Sequence, residues 1–245
     1  MAHSFSPIHK PPAYKLVFEA IERDILTGVL PEGSALPTET ALSEQFGVNR
    51  STVREGIRLL EQTGLVGRGS AKRLIVVRPP SEEAAQRASR GLAQHGVSFQ
   101  EVWECLQQFQ PVAAKLTASR ASSEALEEMK TVAHALGLET DTDLIVEHAV
   151  SFLQMVGRAV DNRVMLVTLQ SLNLLIESSL RLVIDALPDA GERIAKAQTK
   201  LIEAFENRDE DQASVWMKRH IDDLKRGFDV AGVDIRSNII LPGRS

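Results

Sequence analysis

The sequence predicts a mainly α-helical protein in two parts, three helices and a hairpin followed by an all-α domain on the order of 150 residues long. Three observations support this prediction. Glycine and proline, which interrupt regular structure, are frequent among the first 80 of the 245 residues. Pro79 and Pro80 can continue neither a strand nor a helix interior, so they mark a boundary. Beyond them apolar residues recur with the helical period, and no segment alternates with a period of two.

The first two helices follow from apolar spacing and end signals. The first helix ends near Gly28, and its apolar face consists of Tyr14, Val17, Ile21 and Ile25. After a turn rich in glycine and proline, Thr38 is placed to cap a short second helix that runs to about Phe46. Gly47 follows as its terminator.

A third helix and a hairpin complete the first part. Asn49 is placed to cap a helix of about 50–62, which Gly64 ends. Residues 65–66 and 74–77 are apolar and mostly β-branched, and they flank a polar, basic loop. This arrangement predicts a β-hairpin.

The second part contains only helical patterns. Helices are predicted over about 81–94, 99–120, 122–136, 141–159, 163–186, 189–206 and 209–229. Residues after about 231 show no helical pattern. We therefore divide the chain into a first domain (1–78), a linker helix (79–98), an all-helical domain (99–230) and a tail (231–245).

Composition excludes several classes of protein. A hydrophobic share of 43% is that of an ordinary globular chain. Gln170, Asn173 and Glu177 interrupt the longest apolar run before it reaches the ~18 residues of a membrane span, and the N-terminus lacks the pattern of a signal peptide. The single cysteine, Cys105, excludes an internal disulfide framework and is expected to be packed in a core. We expect a cytoplasmic protein that does not contact a membrane.

The charge distribution points to one cationic region. The whole chain carries −5, but residues 1–80 carry 10 basic and 8 acidic side chains, whereas 81–245 carry 18 and 25. Within 50–78 there are seven basic residues against two acidic ones. An acidic body with one basic patch is typical of a protein that meets nucleic-acid phosphates through a single module. A solvated charged surface is the alternative.

The third helix has the pattern of a DNA recognition helix. At 100° per residue, one arc is polar and consists of Arg50, Ser51, Arg54 and Arg58. The opposite arc is formed by Val53, Gly56, Ile57 and Leu60. A helix of this kind packs on its neighbours and presents guanidinium groups to a major groove, while Arg68, Lys72 and Arg73 of the hairpin suit the backbone or minor groove. A surface helix with arginines spaced by four residues is the alternative.

The first part also resembles a known family. The sequence Leu36-Pro37-Thr38-Glu39 precedes the second helix, and Phe46-Gly47-Val48-Asn49-Arg50-Ser51-Thr52-Val53-Arg54-Glu55 spans the start of the third. In register with the apolar residues of the first helix, these segments resemble the winged helix-turn-helix of GntR-type bacterial transcription regulators. The resemblance implies that Arg50 and Arg54 contact an operator, that Arg54 reads a guanine, and that Ser51 and Thr52 bind phosphates. Thr40 stands where many members have an arginine.

The helical part resembles the FCD effector domain of the FadR branch of that family. The resemblance rests on Pro111-Val112-Ala113-Ala114, Phe152, Asn162, Leu201-Ile202 and His220. The HutC-like branch, with an α/β effector domain, is disfavoured by the lack of strand periodicity. Most FCD domains hold a divalent metal with one Asp and three His, and the matching positions here are Ala149, Leu153, Gln198 and His220.

These replacements predict that the metal site of the family is lost, so no cofactor is expected. One imidazole and one amide do not supply the three or four ligands that a transition metal needs. The Arg and Glu that usually line the pocket fall on Leu106 and Gln110. A pocket changed in this way favours a larger or more hydrophobic effector, with Gln110, Gln198 and His220 as polar anchors. The alternatives are a pocket filled by side chains, and a metal site rebuilt around Glu147 and His148.

The function expected from these patterns is that of a homodimeric bacterial transcription regulator, acting as a repressor on a double-stranded, pseudo-palindromic operator, with a small effector setting its affinity. A constitutive DNA-binding protein without an effector is the main alternative. The sequence contains no Gly-rich phosphate loop, nucleophile elbow or His-Glu metal motif, so we do not expect an enzyme. The alternative from a different functional class is an enzyme on a helical bundle, based on a metal or on His148 and His220.

Overall fold

The computed structural model describes residues 11–69 and 73–241, apart from the side chain of Ser178. The chain divides into two compact units between Pro80 and Ser81, two residues after the end predicted for the first domain. Lys72, one of the predicted DNA-contacting residues, lies outside the described residues.

The first unit contains three helices and a two-stranded antiparallel sheet. The elements are α1 (Ala13–Leu26), α2 (Glu39–Phe46), α3 (Arg50–Thr63), β1 (Val66–Arg68) and β2 (Leu74–Val76). The predicted caps are confirmed, since the Thr38 side chain accepts from the Ala41 amide and Asn49 accepts from the Thr52 amide. Gly47 and Gly64 end α2 and α3 in the left-handed region, at φ values of 64° and 73°.

The sheet is tied to the helices through a small apolar core. Val66 pairs with Val76 across the strands, and Ala35 forms an isolated bridge with Ile75 on the outer side of β2. The core of this unit consists of Val17, Ile21, Leu36, Leu42, Val53, Ile57, Leu60, Val66 and Val76. Three of these side chains lie on α3, so burial of one face fixes which face of this helix points outward.

The second unit consists of seven helices in the described residues. They are α4 (Ser81–Gln94), α5 (Phe99–Arg120), α6 (Ser123–Leu138), α7 (Thr142–Ala159), α8 (Arg163–Ala186), α9 (Ala190–Glu206) and α10 (Glu210–Ala231). All seven were predicted from the sequence, with ends that coincide or differ by at most two residues. Helix α5 is central, because it packs against α7, α8, α9 and α10. The predicted linker helix, α4, packs along α8 as part of this unit.

Part of the predicted tail is integrated into the second unit. The Ile239 amide donates to the Val97 carbonyl at 2.8 Å, and the Gln100 amide donates to the Ile235 carbonyl at 2.9 Å. The side chain of Ile239 is buried in the same core as Phe99 and Phe228. An irregular segment can therefore close the end of the bundle without a helical pattern.

The expectation that Cys105 is packed in a core is wrong, because its side chain is exposed on the outer face of α5. No single helix in the described ranges is long and apolar enough to cross a membrane. Helix α8 meets that test only as two segments, Arg163–Glu177 and Ser179–Ala186, bent by 47° from each other.

Candidate nucleic-acid interface and ligand pocket

The outward face of α3 carries the predicted DNA-contacting side chains. Arg50, Ser51 and Arg54 are exposed, while Thr52 is half-buried. The Asn49 carboxamide oxygen accepts from both the Thr52 amide and the Ser51 hydroxyl, each at 2.8 Å. The cap thus orders the first turn of the helix at the end where a major groove would be met.

Arg54 is held by a carboxylate on a neighbouring helix. Its Nη2 lies 2.7 Å from Oε2 of Glu39, and its Nε lies 3.1 Å from Oε1 of the same side chain. The hydrogen bond from Arg54 holds the pKa of the Glu39 carboxyl below its usual value, and the charges of Arg50 and Arg58 add to this effect. Glu39 belongs to the family pattern at the start of α2, but no spacing in the sequence predicts its contact with Arg54.

The remaining predicted contacts surround this helix. Arg68 ends β1 and Arg73 precedes β2, and both side chains are exposed beside the tip of the hairpin. The Gly69 amide donates to the Arg73 carbonyl at 2.8 Å, which links the two sides of the hairpin next to its loop. Thr40 is the second residue of α2 and is half-buried. Basic side chains from α3 and the hairpin therefore belong to one compact unit.

The second unit encloses a small apolar cavity. It measures about 40 Å³ and lies among α7, α8, α9 and α10. The lining includes Ala149, Leu153, Ile176, Leu180, Val183 and His220. Three of the six predicted effector-binding residues thus meet at one cavity, whereas Leu106, Gln110 and Gln198 are fully buried but do not line it.

The residues at the family's metal positions do not fit a transition metal. Ala149 and Leu153 offer no donor atom, and an amide with one imidazole is too few ligands. Within residues 11–69 and 73–241, no group of three or more His, Cys, Asp and Glu side chains is arranged to bind a metal. Glu147, considered for a rebuilt site with His148, is exposed.

His220 remains at the cavity as a neutral imidazole. Burial lowers the pKa of His220 to about 4, and the charge of nearby Asp223 opposes this shift only partly. The side chain also lines an open groove of about 470 Å³ on the outer side of α10, together with Trp216, Arg219 and Asp222. His220 therefore stands between the apolar cavity and solvent.

Four buried amide side chains lie in the core of this unit, those of Gln110, Gln170, Asn173 and Gln198. Gln110 donates from Nε2 to Oδ1 of Asn173 at 3.2 Å. Among the described residues, five buried amide atoms make no hydrogen bond, namely Gln110 Oε1, Gln170 Oε1, Asn173 Nδ2 and both amide atoms of Gln198. Because nearly all buried polar groups in folded proteins are paired, these atoms have the chemistry to bind a ligand group or an ordered water.

Comparison with known proteins gives two matches to family models. The model described as "Bacterial regulatory proteins, gntR family" matches residues 13–76. The model of the FCD domain matches residues 101–223, half of the chain. Both matches confirm the resemblances found in the sequence.

Relatives with curated descriptions include two proteins of Mycobacterium tuberculosis. The HTH-type transcriptional regulator Mce2R is 43% identical over 63 residues, which are 26% of each chain. The uncharacterized HTH-type transcriptional regulator Rv0494 is 35% identical over 129 residues, 49% of this chain and 51% of the relative. The HTH-type transcriptional repressor NagR of Bacillus subtilis is 36% identical over 81 residues, 33% of this chain and 32% of the relative. The chain thus spans between a quarter and half of the length of these relatives.

Among solved structures, Streptococcus agalactiae GntR aligns with 87% of this chain and 99% of its own, with a TM-score of 0.58 and 19% identity. This likeness concerns the fold alone. It agrees with the predicted order of a small helical and hairpin unit followed by an all-helical one.

Proposed function

Because this chain belongs to the GntR family of bacterial regulatory proteins and carries an FCD domain, we propose that it is a sequence-specific DNA-binding transcription regulator that acts as a repressor. The observation that carries the proposal is the exposed, capped N-terminal face of α3 with Arg50 and Arg54. Because the opposite face of α3 is buried, both guanidinium groups lie on the exposed side of the unit. Arginine is the side chain best suited to guanine O6 and N7 in the major groove.

A change of Arg54 tests the DNA-binding role. The probe is the duplex that the wild-type protein enriches from a random-sequence library, compared with a scrambled duplex of equal composition. Arg54→Ala should lose about 1–3 kcal/mol per half-site on the enriched duplex, or roughly 5- to 150-fold. Arg58→Ala removes the same charge one turn away and serves as the control, with similar small losses on both duplexes expected.

Unchanged discrimination in the Arg54→Ala protein would show that α3 is not the reading helix. Failure of the wild-type protein to enrich any duplex would refute the DNA-binding function itself. We place this activity in the cytoplasm, where bacterial operators are accessible, and assign no catalytic role to the chain.

We assign a small, rather hydrophobic effector to the second unit. The cavity there is lined mainly by aliphatic side chains, and His220 connects it with an open groove that suits an entry path. At about 40 Å³ it has room for only a few water-sized groups, so a larger ligand requires α8 and α10 to move apart. Such an opening is the means by which binding would change operator affinity.

Ligand-induced stabilisation tests this assignment. The probes are carboxylic acids, alcohols and amides of matched carbon number, scored by the melting temperature of the protein. Ala149→Val adds two methyl groups at the cavity wall and should abolish stabilisation by any active probe while leaving operator affinity intact. If operator affinity responds to no probe and Ala149→Val changes nothing, the constitutive alternative is favoured.

We further propose that two copies pair through the exposed face of α5. Its centre is an apolar seam of Cys105, Phe109, Val112 and Leu116, spaced by four, three and four residues. Phe109 is 42% exposed and Val112 is 50% exposed, which is unusual for adjacent turns of a central helix. The 4-3-4 spacing is that of a helix-pairing seam.

The charges that flank the seam suit an antiparallel pair related by a two-fold axis. Glu104 lies toward one end of the seam and Lys115 toward the other, on the same side of it, and Lys115 also lies 2.9 Å from Oδ1 of Asp211 in its own chain. In an antiparallel pair, Glu104 of one copy would lie near Lys115 of the other, twice, with an offset of two residues, or about 3 Å along the helix axis. The seam residues themselves would match in the same way, Cys105 with Leu116 and Phe109 with Val112.

Sedimentation of the full chain tests this pairing. Phe109→Glu places a charge in the seam and should yield a monomer with weakened binding to the enriched duplex, since two linked half-sites bind far more tightly than one. Leu138→Glu is the matched control, because Leu138 is 72% exposed on α6, away from the seam. A dimeric Phe109→Glu protein would refute the assignment of α5.

A further inference from the structure

We propose that Glu39 is a positioning residue for DNA recognition, which holds the guanidinium of Arg54 in the orientation that reads a guanine. The inference rests on the proposed DNA-binding function. It is carried by the contact between the first residue of α2 and the outward face of α3.

The geometry of the contact leaves the reading edge of the guanidinium open. Glu39 accepts from Nε and from Nη2 of Arg54, which together form one side of the planar group. Guanidinium carries five N–H donors, and this pairing uses two of them. The Nη1 and the second Nη2 protons lie on the other edge, and these are the donors that fit guanine O6 and N7 end-on. Arg54 can therefore bind Glu39 and a base at the same time.

Glu39 is suited to act as a fixed support. It is the first residue of a helix whose N-terminus is capped by Thr38, so its carboxylate also lies in a favourable position relative to the helix dipole. Its side chain is 34% exposed, compared with 56% for Arg54. A mobile arginine must lose side-chain freedom when it binds a base, and a partner that orders it beforehand lowers this cost.

A second ion pair on the same helix shows what a surface contact without this role looks like. Arg58 and Glu55 are 2.7 Å apart within α3, and their side chains are 60% and 53% exposed. That pair has one hydrogen bond and joins neighbouring turns, whereas Glu39 and Arg54 are 15 residues apart in sequence and join two helices. Glu55 therefore offers a matched control.

Removal of the Glu39 charge changes DNA affinity in opposite directions under a purely electrostatic role and under a positioning role. A carboxylate beside a DNA-binding surface repels phosphates, so its removal should raise affinity for any duplex. A positioning role predicts the opposite on the enriched duplex only. Because hydrogen bonding from Arg54 lowers the pKa of Glu39, the carboxylate stays ionised at neutral pH and the substitution Glu39→Gln removes a full charge.

The experiment measures affinities of the full-length protein for the enriched and the scrambled duplex. Glu39→Gln should bind the enriched duplex roughly three- to tenfold less tightly per half-site, and the scrambled duplex slightly more tightly. Glu39→Asp keeps the charge with a shorter reach and should recover part of the discrimination. Glu55→Gln should raise affinity for both duplexes by the same factor. Far-UV circular dichroism and the melting temperature verify that all variants are folded.

A modified base separates positioning from a general loss of fit. Replacing the guanines of the enriched duplex by 7-deazaguanine removes the N7 acceptor. The penalty should be large for the wild-type protein and small for Glu39→Gln, because that variant no longer presents Arg54 to the base correctly.

Two results would overturn the inference while leaving the proposed function intact. Glu39→Gln could behave like Glu55→Gln on both duplexes, or it could tighten binding to the enriched duplex, which would make Glu39 a competitor of the DNA. If Arg54→Ala keeps full discrimination, or if no duplex is enriched, the proposed reading of DNA by α3 fails and the inference fails with it.

Discussion

Replacing the buried Gln198 by leucine should stabilise the protein. Gln198 lies on α9 with 0% of its surface exposed, and neither amide atom has a hydrogen-bond partner among the described residues. An unsatisfied buried polar group costs about 1–3 kcal/mol, and leucine is close to glutamine in size. We expect Gln198→Leu to add about 2 kcal/mol to the free energy of unfolding of the second unit. For a unit of this length, that corresponds to a rise of about 4–8 °C in melting temperature.

The assay is thermal unfolding followed by circular dichroism in the absence of added ligand. Gln212→Leu is the matched control, since Gln212 is exposed on the first turn of α10 and its substitution should change stability by no more than about 0.5 kcal/mol. A melting temperature lowered by Gln198→Leu would refute the reasoning, because it would show that the amide is paired in solution. If Gln198 anchors the effector, the same variant should lose ligand-induced stabilisation even though it is more stable.

Two further predictions concern the same unit. The pKa of His220 in the folded protein is about 4, against 6.5 for an unperturbed histidine, so the folded state disfavours protonation of this side chain. The free energy of unfolding should therefore be full above about pH 6.5 and fall by up to about 3 kcal/mol toward pH 4. Denaturant unfolding at several pH values should show a shallower fall for His220→Gln, and the wild-type fall for the control His134→Gln. Elemental analysis should find no stoichiometric transition metal, and a chelator should change neither the melting temperature nor the operator affinity. Restoring the family's ligands by Ala149→Asp, Leu153→His and Gln198→His should create zinc-dependent stabilisation. One metal per unmodified chain would contradict the loss of the site.

Local signals were sufficient to predict the elements of the fold. Thr38 and Asn49 each precede a segment with an apolar face, and each side chain caps the helix that the spacing indicated. The inward face of α3 could be predicted because its apolar residues occupy one arc and its arginines the other. Where a helix has two chemically distinct faces, its sequence determines which one is buried.

In helix α5 the apolar pattern does not predict which side is buried. Apolar residues occupy most of its circumference, so periodicity could not distinguish the buried Leu106 from the exposed Cys105 beside it. Only the packing of four other helices decides which strip remains outside. The same applies to Ile239, which is buried through backbone pairing with Val97 in a segment that has no regular pattern.

Contacts between residues that are far apart in the chain could not be predicted from the sequence either. Glu39 and Arg54 belong to different helices, and their pairing depends on the angle at which α2 meets α3 rather than on any spacing. In the same way, six family positions indicated one ligand pocket, but the cavity lies beside only three of them, Ala149, Leu153 and His220. Alignment to a family identifies positions, whereas the volume left between side chains depends on every residue around it.

The buried amide side chains of the second unit bear on whether this unit binds a ligand. Every buried side-chain polar atom found without a partner in the described ranges belongs to the second unit, on Gln110, Gln170, Asn173 or Gln198. Folded proteins retain such costly groups mainly at functional sites. A protein that only bound DNA would gain stability by replacing these amides with aliphatic residues, so their presence favours an effector over a constitutive regulator. The cavity beside His220 is not lined by these amides, so an effector pairs with them only if it extends beyond that cavity. Such an effector should stabilise the second unit by more than its apolar contact area alone would give, and amide-bearing probes should then exceed alcohols of equal carbon number in the shift of melting temperature.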